Sequence, residues 1–277
     1  MQSGAGRWLS PCSRVVDAAD DYWGDLETAR QRERTWNLKR VQLLRHYIQG
    51  ITEANILDYG SGHGGFLEAG TPIFRNLLGF DLCKRICQAY RASGWRCVNS
   101  PKEVPHDIEV ILLFHVIEHL PKPWEFLSEL KQQFVNANTF VIEVPNLCEA
   151  LHALFKSSPY QKNQFGPEHL YYFTAQTLRM VVETAGLRVV VDTQYQRYTI
   201  ANHLGWLKDG TRGGQDRYEI FNDERLNEEY EHVLVESGLA DSLLMICHSV
   251  SGGTSRGPRV KRSVHGRPTL EKTREVS

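Results

Sequence analysis

Apolar and polar positions along this chain follow two periods that alternate, and the alternation predicts an α/β fold. Apolar runs of strand length occur at 55–59, 76–80, 96–98, 109–113, 139–144 and 187–192. Apolar residues at helical spacing fill the segments between them, at 64–70, 84–93, 124–134 and 174–185. Because strands that alternate with helices form parallel sheets, we predict a sheet with helices on both faces.

Three changes of pattern set the predicted domain limits. Helical periodicity before the first strand predicts an N-terminal helical cap over residues 1–50. Residues 51–250 form the main domain, and a glycine-rich segment at about 195–240 interrupts its strand–helix rhythm as an insertion. Residues 251–277 contain seven basic and two acidic residues and few apolar ones, so we expect a disordered basic tail.

Composition and charge narrow the functional classes. The chain has 277 residues, a formal net charge of -1 and 41% apolar residues, enough for a normal core. Outside the tail there is no basic excess, so no nucleic-acid partner is expected. The strongest apolar run, 110–117, is too short to cross a bilayer, and residues 1–16 contain no signal-like apolar region. We therefore expect a cytoplasmic protein without membrane insertion.

Cysteine and histidine spacing points away from metals and disulfides. The six cysteines include no C-x-x-C pair, so we expect reduced, mostly buried thiols. No group of histidine, cysteine and acidic residues has metal-ligand spacing either, so we expect a metal-independent protein.

The turn after the first strand is the most informative local feature. Gly60, Gly62 and Gly65 fit the dinucleotide pattern G-x-G-x-x-G. Asp58, Gly60, Gly62 and Gly64 instead fit D-x-G-x-G-x-G, which is typical of sites for nucleoside-bearing methyl donors. Glycines at these positions let a ligand approach the backbone closely.

Charged residues near this turn favour the methyl donor. Asp81 ends the second strand about twenty residues later, where a carboxylate accepts ribose hydroxyls in both classes of protein. Asp58 would repel a pyrophosphate but attract a sulfonium or ammonium group. Two further polar loops, at 114–120 and 166–174, contribute histidines and acids, and the first follows the fourth strand at the edge that faces the ligand crevice.

Taken together, these segments resemble the class I S-adenosylmethionine-dependent methyltransferases, in particular their bacterial small-molecule subgroup. The resemblance rests on I-L-D-Y-G-S-G-H-G at 56–64, G-F-D-L at 79–82, F-H-V-I-E-H-L at 114–120, V-P-N at 144–146 and E-H-L-Y-Y-F-T at 168–174. It implies S-adenosylmethionine as cofactor and a Rossmann-like sheet of seven strands in the order 3-2-1-4-5-7-6. The last strand, near 242–247, would be antiparallel, and residues 51–250 would be the methyltransferase domain.

The same resemblance implies a donor site at the ends of the first strands. Asp58 and the turn to Gly64 would hold the methionine end, Asp81 the ribose and Leu82 the adenine. Asn99 stands near where the family often keeps an acid on the adenine amino group, so that contact is open. The predicted cofactor-binding set is Asp58, Tyr59, Gly60, Ser61, Gly62, Gly64, Asp81, Leu82, Asn99 and His115.

Three histidines are the predicted catalytic residues. Methyl transfer mainly needs alignment, and a base is needed only where the acceptor must lose a proton. His115, His119 and His169 suit that role because imidazole titrates near neutral pH, with Glu118 and Glu168 as neighbours that could orient them. Each histidine also has a structural alternative. His115 could line the donor pocket, His119 could brace the helix that follows it, and His169 could pack its loop.

The segments that would cover the carboxyl edge of the sheet indicate the chemical class of the acceptor. Residues 147–155 are apolar enough for a lid helix, and His203 with Trp206 offers polar and aromatic contacts suited to a sugar, or plain packing. Tyr22 and Trp23 either cover the donor or anchor the first helix. We therefore predict a small-molecule acceptor, with O-methylation of a sugar or glycan-like metabolite as the first hypothesis. A quinone-like or phenolic acceptor, a donor-binding pseudo-methyltransferase acting through a partner, and a homodimer are alternatives left open.

Overall fold

The computed structural model describes residues 26–249 and 258–261. The predictions for Tyr22 and Trp23, and for most of the basic tail, therefore lie outside the described residues. Within the tail, Arg259–Val260 pairs antiparallel with Ile48–Gln49. Val260 packs against the core. The limits of the predicted tail stay a prediction.

Seven strands form the central sheet. In chain order they are β1 Asn55–Tyr59, β2 Asn76–Phe80, β3 Cys97–Val98, β4 Val110–Phe114, β5 Thr139–Pro145, β6 Leu187–Tyr195 and β7 Ser242–Ser249. The spatial order is 3-2-1-4-5-7-6, with β7 antiparallel to both neighbours and the other pairs parallel. The predicted fold class and strand order are confirmed.

Nine helices surround the sheet in the part of the chain that the structure describes. They are α1 Leu26–Tyr47, α2 Gly65–Gly70, α3 Lys84–Ala92, α4 Pro123–Gln133, α5 Ser158–Gln164, α6 Ala175–Thr184, α7 Ile200–Leu204, α8 Gly214–Arg217 and α9 Glu224–Glu236. The lid helix predicted over 147–155 is only a π-helical turn at Ala150–Leu154. None of the helices described is long and apolar enough to cross a membrane.

The core has two layers because alternate residues of each buried strand point to opposite faces. On one face, Leu112 of β4 packs in a cluster with Leu44 of α1 and Tyr90 of α3. On the other, Ile111 packs with residues of α4 and α6, such as Leu127. Helix α1 thus contributes to the core of the sheet itself.

Cys87 and Cys97 form a disulfide between α3 and β3, contrary to the expectation that all six thiols are reduced. Their Cα atoms lie 5.2 Å apart because α3 returns the chain beside the strand that follows it. This proximity depends on the fold and has no signature in the ten-residue spacing.

The carboxyl ends of β1, β2, β4 and β5 meet at one edge of the sheet. Asp58 in β1 lies in register with Gly79 of β2 and with Leu112 of β4. The loops that leave these strands therefore bring the glycine turn, Asp81 and His115 to the same edge, which is where open α/β sheets bind ligands.

Candidate active site

The glycine turn adopts a backbone that other residues rarely take. Gly60, Gly62 and Gly64 have φ of 82°, 52° and 80°, in the left-handed region. A Cβ atom on Gly60 would lie 2.8 Å from the side chain of Val116. One on Gly64 would lie 2.6 Å from the ring of Tyr90, whose hydroxyl donates to the carbonyl of Gly62. The turn is tightly packed from behind, so only glycine fits it.

Asp81 is held beside this turn by backbone amides. Its Oδ2 accepts the N–H of Gly62 at 3.0 Å, and its Oδ1 accepts that of Cys83 at 2.8 Å. The two bonds lower the pKa of the carboxyl, but burial raises it more, and the net pKa lies above the usual value. The structure therefore brings Asp81 and the predicted turn together.

Asp58 is buried at the end of β1, with 2% of its surface exposed. Burial raises its pKa to about 7, and the carboxylates of Asp81 and Glu143 act in the same direction, while Arg40 opposes them. A carboxylate in such a negative environment is well suited to a cationic ligand group, whose charge would favour ionisation.

The remaining predicted cofactor residues line the same edge. The ring of Tyr59 packs 4.6 Å from Phe80, between centroids. Ser61 is buried, and its hydroxyl has no hydrogen-bond partner among the described residues. Leu82 packs against the apolar core and Asn99 is half-buried just after β3. Tyr59, Ser61, Leu82 and Asn99 stay predictions as ligand contacts.

His115 sits at the centre of a buried charge network. Its φ of 55° is unusual for a residue with a side chain. Nδ1 lies 3.1 Å from Oε1 of Glu118, and Nε2 lies 2.9 Å from both Oε1 of Glu143 and Nη1 of Arg197. Burial and Arg197 lower the pKa of His115, but bonds to the two glutamates outweigh them, so its pKa is raised.

Arg40 and Glu143 are functional candidates that the sequence analysis missed. Arg40, on α1, donates from Nε to Oε2 of Glu143 at 2.9 Å and also donates to the side chain of Asn37. Both ends of the ion pair are buried, and the guanidinium keeps the pKa of Glu143 well below its usual value, although burial opposes this. A lone acid within the apolar strand 139–145 is the signal that could have indicated Glu143.

Arg197 and Asp241 form a second ion pair beside His115. Nε of Arg197 lies 3.1 Å from Oδ1 of Asp241, whose Oδ2 accepts the backbone N–H groups of Arg197 and Tyr198. The guanidinium carbon of Arg197 lies 5.5 Å from the ring centroids of both Trp36 and Tyr198. Arg197, Trp36 and Tyr198, the partly buried aromatic–arginine cluster, thus adjoin His115.

The other two predicted catalytic histidines lie together next to this network. The rings of His119 and His169 meet edge to face at 4.8 Å between centroids. Nδ1 of His119 lies 2.8 Å from the backbone oxygen of Glu168. Burial lowers the pKa of His169. Glu118 and Glu168 were expected to orient their sequence neighbours, but the Glu118 carboxylate instead contacts His115.

The predicted sugar contacts His203 and Trp206 are buried inside the insertion. Trp206 packs edge to face on Tyr160 at 5.3 Å between centroids. His203 is bonded by Gln196 and by the hydroxyl of Tyr230, and burial lowers its pKa to about 4. The packing alternative describes both residues better than a sugar platform does.

Comparison with known proteins places this chain in a family. A family model described as "Methyltransferase domain" matches residues 28–191, more than half of the chain. The chain belongs to this methyltransferase family. The predicted class I methyltransferase, an enzyme with S-adenosylmethionine as cofactor, is thereby confirmed, while the domain limits and the individual site residues stay predictions.

Solved structures similar to this methyltransferase share its fold. An Archaeoglobus fulgidus SAM-dependent methyltransferase is 19% identical, with a TM-score of 0.50 over 86% of this chain and 100% of that one. A Burkholderia thailandensis 1,6-didemethyltoxoflavin-N1-methyltransferase is 15% identical, with a TM-score of 0.51 over 91% and 92%. A Thermotoga maritima SAM-dependent methyltransferase, described as a possible histamine N-methyltransferase, is 14% identical, with a TM-score of 0.52 over 87% and 99%. A search of curated proteins finds no match.

Proposed function

We propose that this methyltransferase transfers the methyl group of S-adenosylmethionine to a hydroxyl of a polar, sugar-like small molecule, with His115 as the proton acceptor. The observation that carries the proposal is the position of His115 Nε2, 2.9 Å from both an arginine nitrogen and a carboxylate oxygen. It stands beside the predicted donor turn at the carboxyl edge of the sheet.

The donor fits the residues at this edge. Hydrogen bonds from the backbone N–H groups of Gly62 and Cys83 hold the Asp81 carboxylate next to the glycine turn. There it can accept hydrogen bonds from ribose hydroxyls. Asp58 offers a buried negative charge to the cationic methionine end. S-adenosylmethionine supplies an electrophilic methyl group on its sulfonium, so the protein's task is to align an acceptor and exclude water.

His115 has a partner for each protonation state. When the ring is neutral, Nδ1–H donates to Glu118 and Nε2 accepts from Arg197. When Nε2 takes a proton, that N–H points to Glu143, whose charge stabilises the imidazolium. An acceptor hydroxyl that replaces Arg197 at Nε2 therefore meets a base whose protonated form is already accommodated.

The aromatic–arginine cluster supports a polar, ring-shaped acceptor. Trp36 and Tyr198 meet edge to face at 4.9 Å between centroids, and Arg197 lies against both. Aromatic faces offer apolar contact area, and a guanidinium supplies several hydrogen-bond donors for oxygen atoms. We therefore propose that the aromatic–arginine cluster contacts the sugar, and not the buried His203 and Trp206.

A labelled-methyl assay tests the proposed function. The full-length protein is incubated with radiolabelled donor and a panel of sugars, nucleotide sugars and phenols, and compared with His115→Ala and with the control His232→Ala on α9. We expect transfer to a hydroxylated sugar that falls at least about a hundredfold in His115→Ala, in line with loss of a general base, and persists in the control. Transfer only to phenols, or full activity of His115→Ala, would contradict the proposal.

A further inference from the structure

The fold brings together three side chains that the sequence separates. Glu118 and His119 lie on the 3-10 turn Ile117–His119 after β4, and His169 lies in the loop before α6. One ligand atom from each lies within 4.8 Å of the other two. We propose that Glu118, His119 and His169 bind one divalent transition-metal ion. Neither the sequence spacing nor the family match assigns this site.

Two side-chain atoms of these residues are buried without a partner among the described residues. Oε2 of Glu118 and Nδ1 of His169 have no hydrogen bond within the described residues, although both atoms are shielded from solvent. Leaving such atoms unsatisfied destabilises the fold, most of all where the group is charged. A cation between them would satisfy both.

His119 is oriented by a contact at one nitrogen of its ring. Nδ1 of His119 lies 2.8 Å from the backbone oxygen of Glu168, and because a carbonyl only accepts, Nδ1 carries the proton. The lone pair of His119 is then on Nε2. Histidine metal ligands commonly donate their second N–H to a carbonyl in this way.

The carboxylate is held in the same manner. Oε1 of Glu118 is bonded to His115, which leaves Oε2 for the metal. The backbone oxygen of Glu118 accepts the N–H groups of Leu170 and Tyr171 at 2.9 and 3.1 Å. These bonds fix the loop that carries His169 against the turn that carries Glu118 and His119, so the cluster is built by backbone contacts.

The ligand set favours a borderline-soft ion. Two imidazoles and one carboxylate are a common set for zinc and related ions, whereas magnesium and calcium prefer oxygen ligands. Zinc bonds of about 2.0–2.2 Å place ligand atoms roughly 3.3 Å apart, so side-chain movements of about 1 Å close the site. His119 and His169 are both half-buried.

The site suggests a task for the metal that rests on the proposed function. Three protein ligands leave a tetrahedral ion one position for an oxygen atom. Glu118 would link the ion to His115, because its other carboxylate oxygen contacts Nδ1 of that residue. A metal also makes a bound oxygen more acidic.

Calorimetric titration with zinc tests the site directly. The untagged full-length protein is stripped with a chelator, dialysed and titrated, and compared with His119→Ala, His169→Ala and the control His232→Ala, whose histidine pairs with Glu236 on α9. Each protein is also titrated with S-adenosylmethionine and melted by circular dichroism to confirm that it is folded. Neither readout depends on an identified acceptor.

We expect one zinc ion per chain in the wild type and in His232→Ala, and at least about tenfold weaker binding in each ligand variant, with donor affinity kept. Absence of zinc binding by a wild type that binds the donor would overturn the metal site alone. So would folded His119→Ala and His169→Ala proteins that bind zinc as tightly as the wild type. Zinc binding without donor binding would leave the site standing and remove the proposed function instead.

Discussion

Replacement of Asp58 by Asn should stabilise the protein while weakening donor binding. Asp58 is 2% exposed, and burial, aided by Asp81 and Glu143, raises its pKa to about 7. Asn has nearly the same shape but no charge to bury. Without donor, the ionised Asp58 is a cost to folding that the variant lacks.

The size and sign of the effect follow from the shift in pKa. The pKa of Asp58 moves from 3.8 to about 7 on folding. As pH rises above the unfolded value, the unfolded chain releases this proton before the folded one does, so wild-type stability falls until pH passes 7. At about 1.36 kcal/mol for each unit of pKa, the shift amounts to about 4 kcal/mol at pH 8 and to less than about 1 kcal/mol at pH 4, which is close to the unfolded pKa.

Urea denaturation at several pH values measures this difference, with the exposed Asp216→Asn as a control. We expect Asp58→Asn to unfold at clearly higher urea than the wild type at pH 8 and at nearly the same urea at pH 4. Calorimetry at pH 8 should show donor affinity lower by about ten- to a hundredfold, about 1.4–2.8 kcal/mol. A variant that is no more stable at pH 8, or that binds the donor as tightly as the wild type, would refute the reasoning.

Three further substitutions separate the donor site from the scaffold. Arg40→Met leaves Glu143 buried without its guanidinium, and we expect the free energy of unfolding in urea to fall by about 3–5 kcal/mol; a loss below about 1 kcal/mol would contradict a tight buried pair. Gly60→Ala places a Cβ at φ 82° and 2.8 Å from a neighbouring side chain, so donor affinity by calorimetry should fall at least about tenfold. Gly94 has the same φ of 82° but open space around it, so Gly94→Ala should bind the donor normally. Equal donor affinities of the two variants would contradict a role of the Gly60 turn in donor binding. Trp206→Ala should lower the free energy of unfolding by about 3–5 kcal/mol and leave donor affinity unchanged, whereas an unchanged stability would show that Trp206 is not core.

The sheet and the glycine turn could be predicted because their signals are local. Strands β1 and β2 begin and end at the predicted residues, since each is a buried apolar run next to glycine or a charged residue. The Gly60–Gly64 turn is readable because a left-handed backbone and close packing both require glycine. Neither feature depends on which distant segments meet.

The charge network could not be predicted in the same way. Arg40 and Glu143 are 103 positions apart, and only the packing of α1 on the sheet brings them together. The lone acid in the apolar strand 139–145 could have indicated Glu143, but nothing in the sequence pairs it with Arg40. The same holds for Arg197 and Asp241, which are 44 positions apart.

In the loop 114–120, the contacts of the histidines differ from those expected from sequence neighbours. Glu118 was expected to orient the adjacent His119. The carboxylate of Glu118, on the 3-10 turn Ile117–His119, contacts His115, which precedes that turn and has a left-handed backbone. His119 is instead held by the backbone oxygen of Glu168. Spacing alone gives no indication of this turn, because the segment 114–120 is equally compatible with a helix.

The central claim is that S-adenosylmethionine binds between the glycine turn and Asp81. Calorimetric titration of the donor at pH 8 into the wild type, Asp81→Ala and the exposed control Asp216→Ala tests it most directly. The account predicts one donor per chain for the wild type and the control, and at least about tenfold weaker binding for Asp81→Ala. Equal affinity of all three proteins, or a wild type that binds no donor, would contradict it.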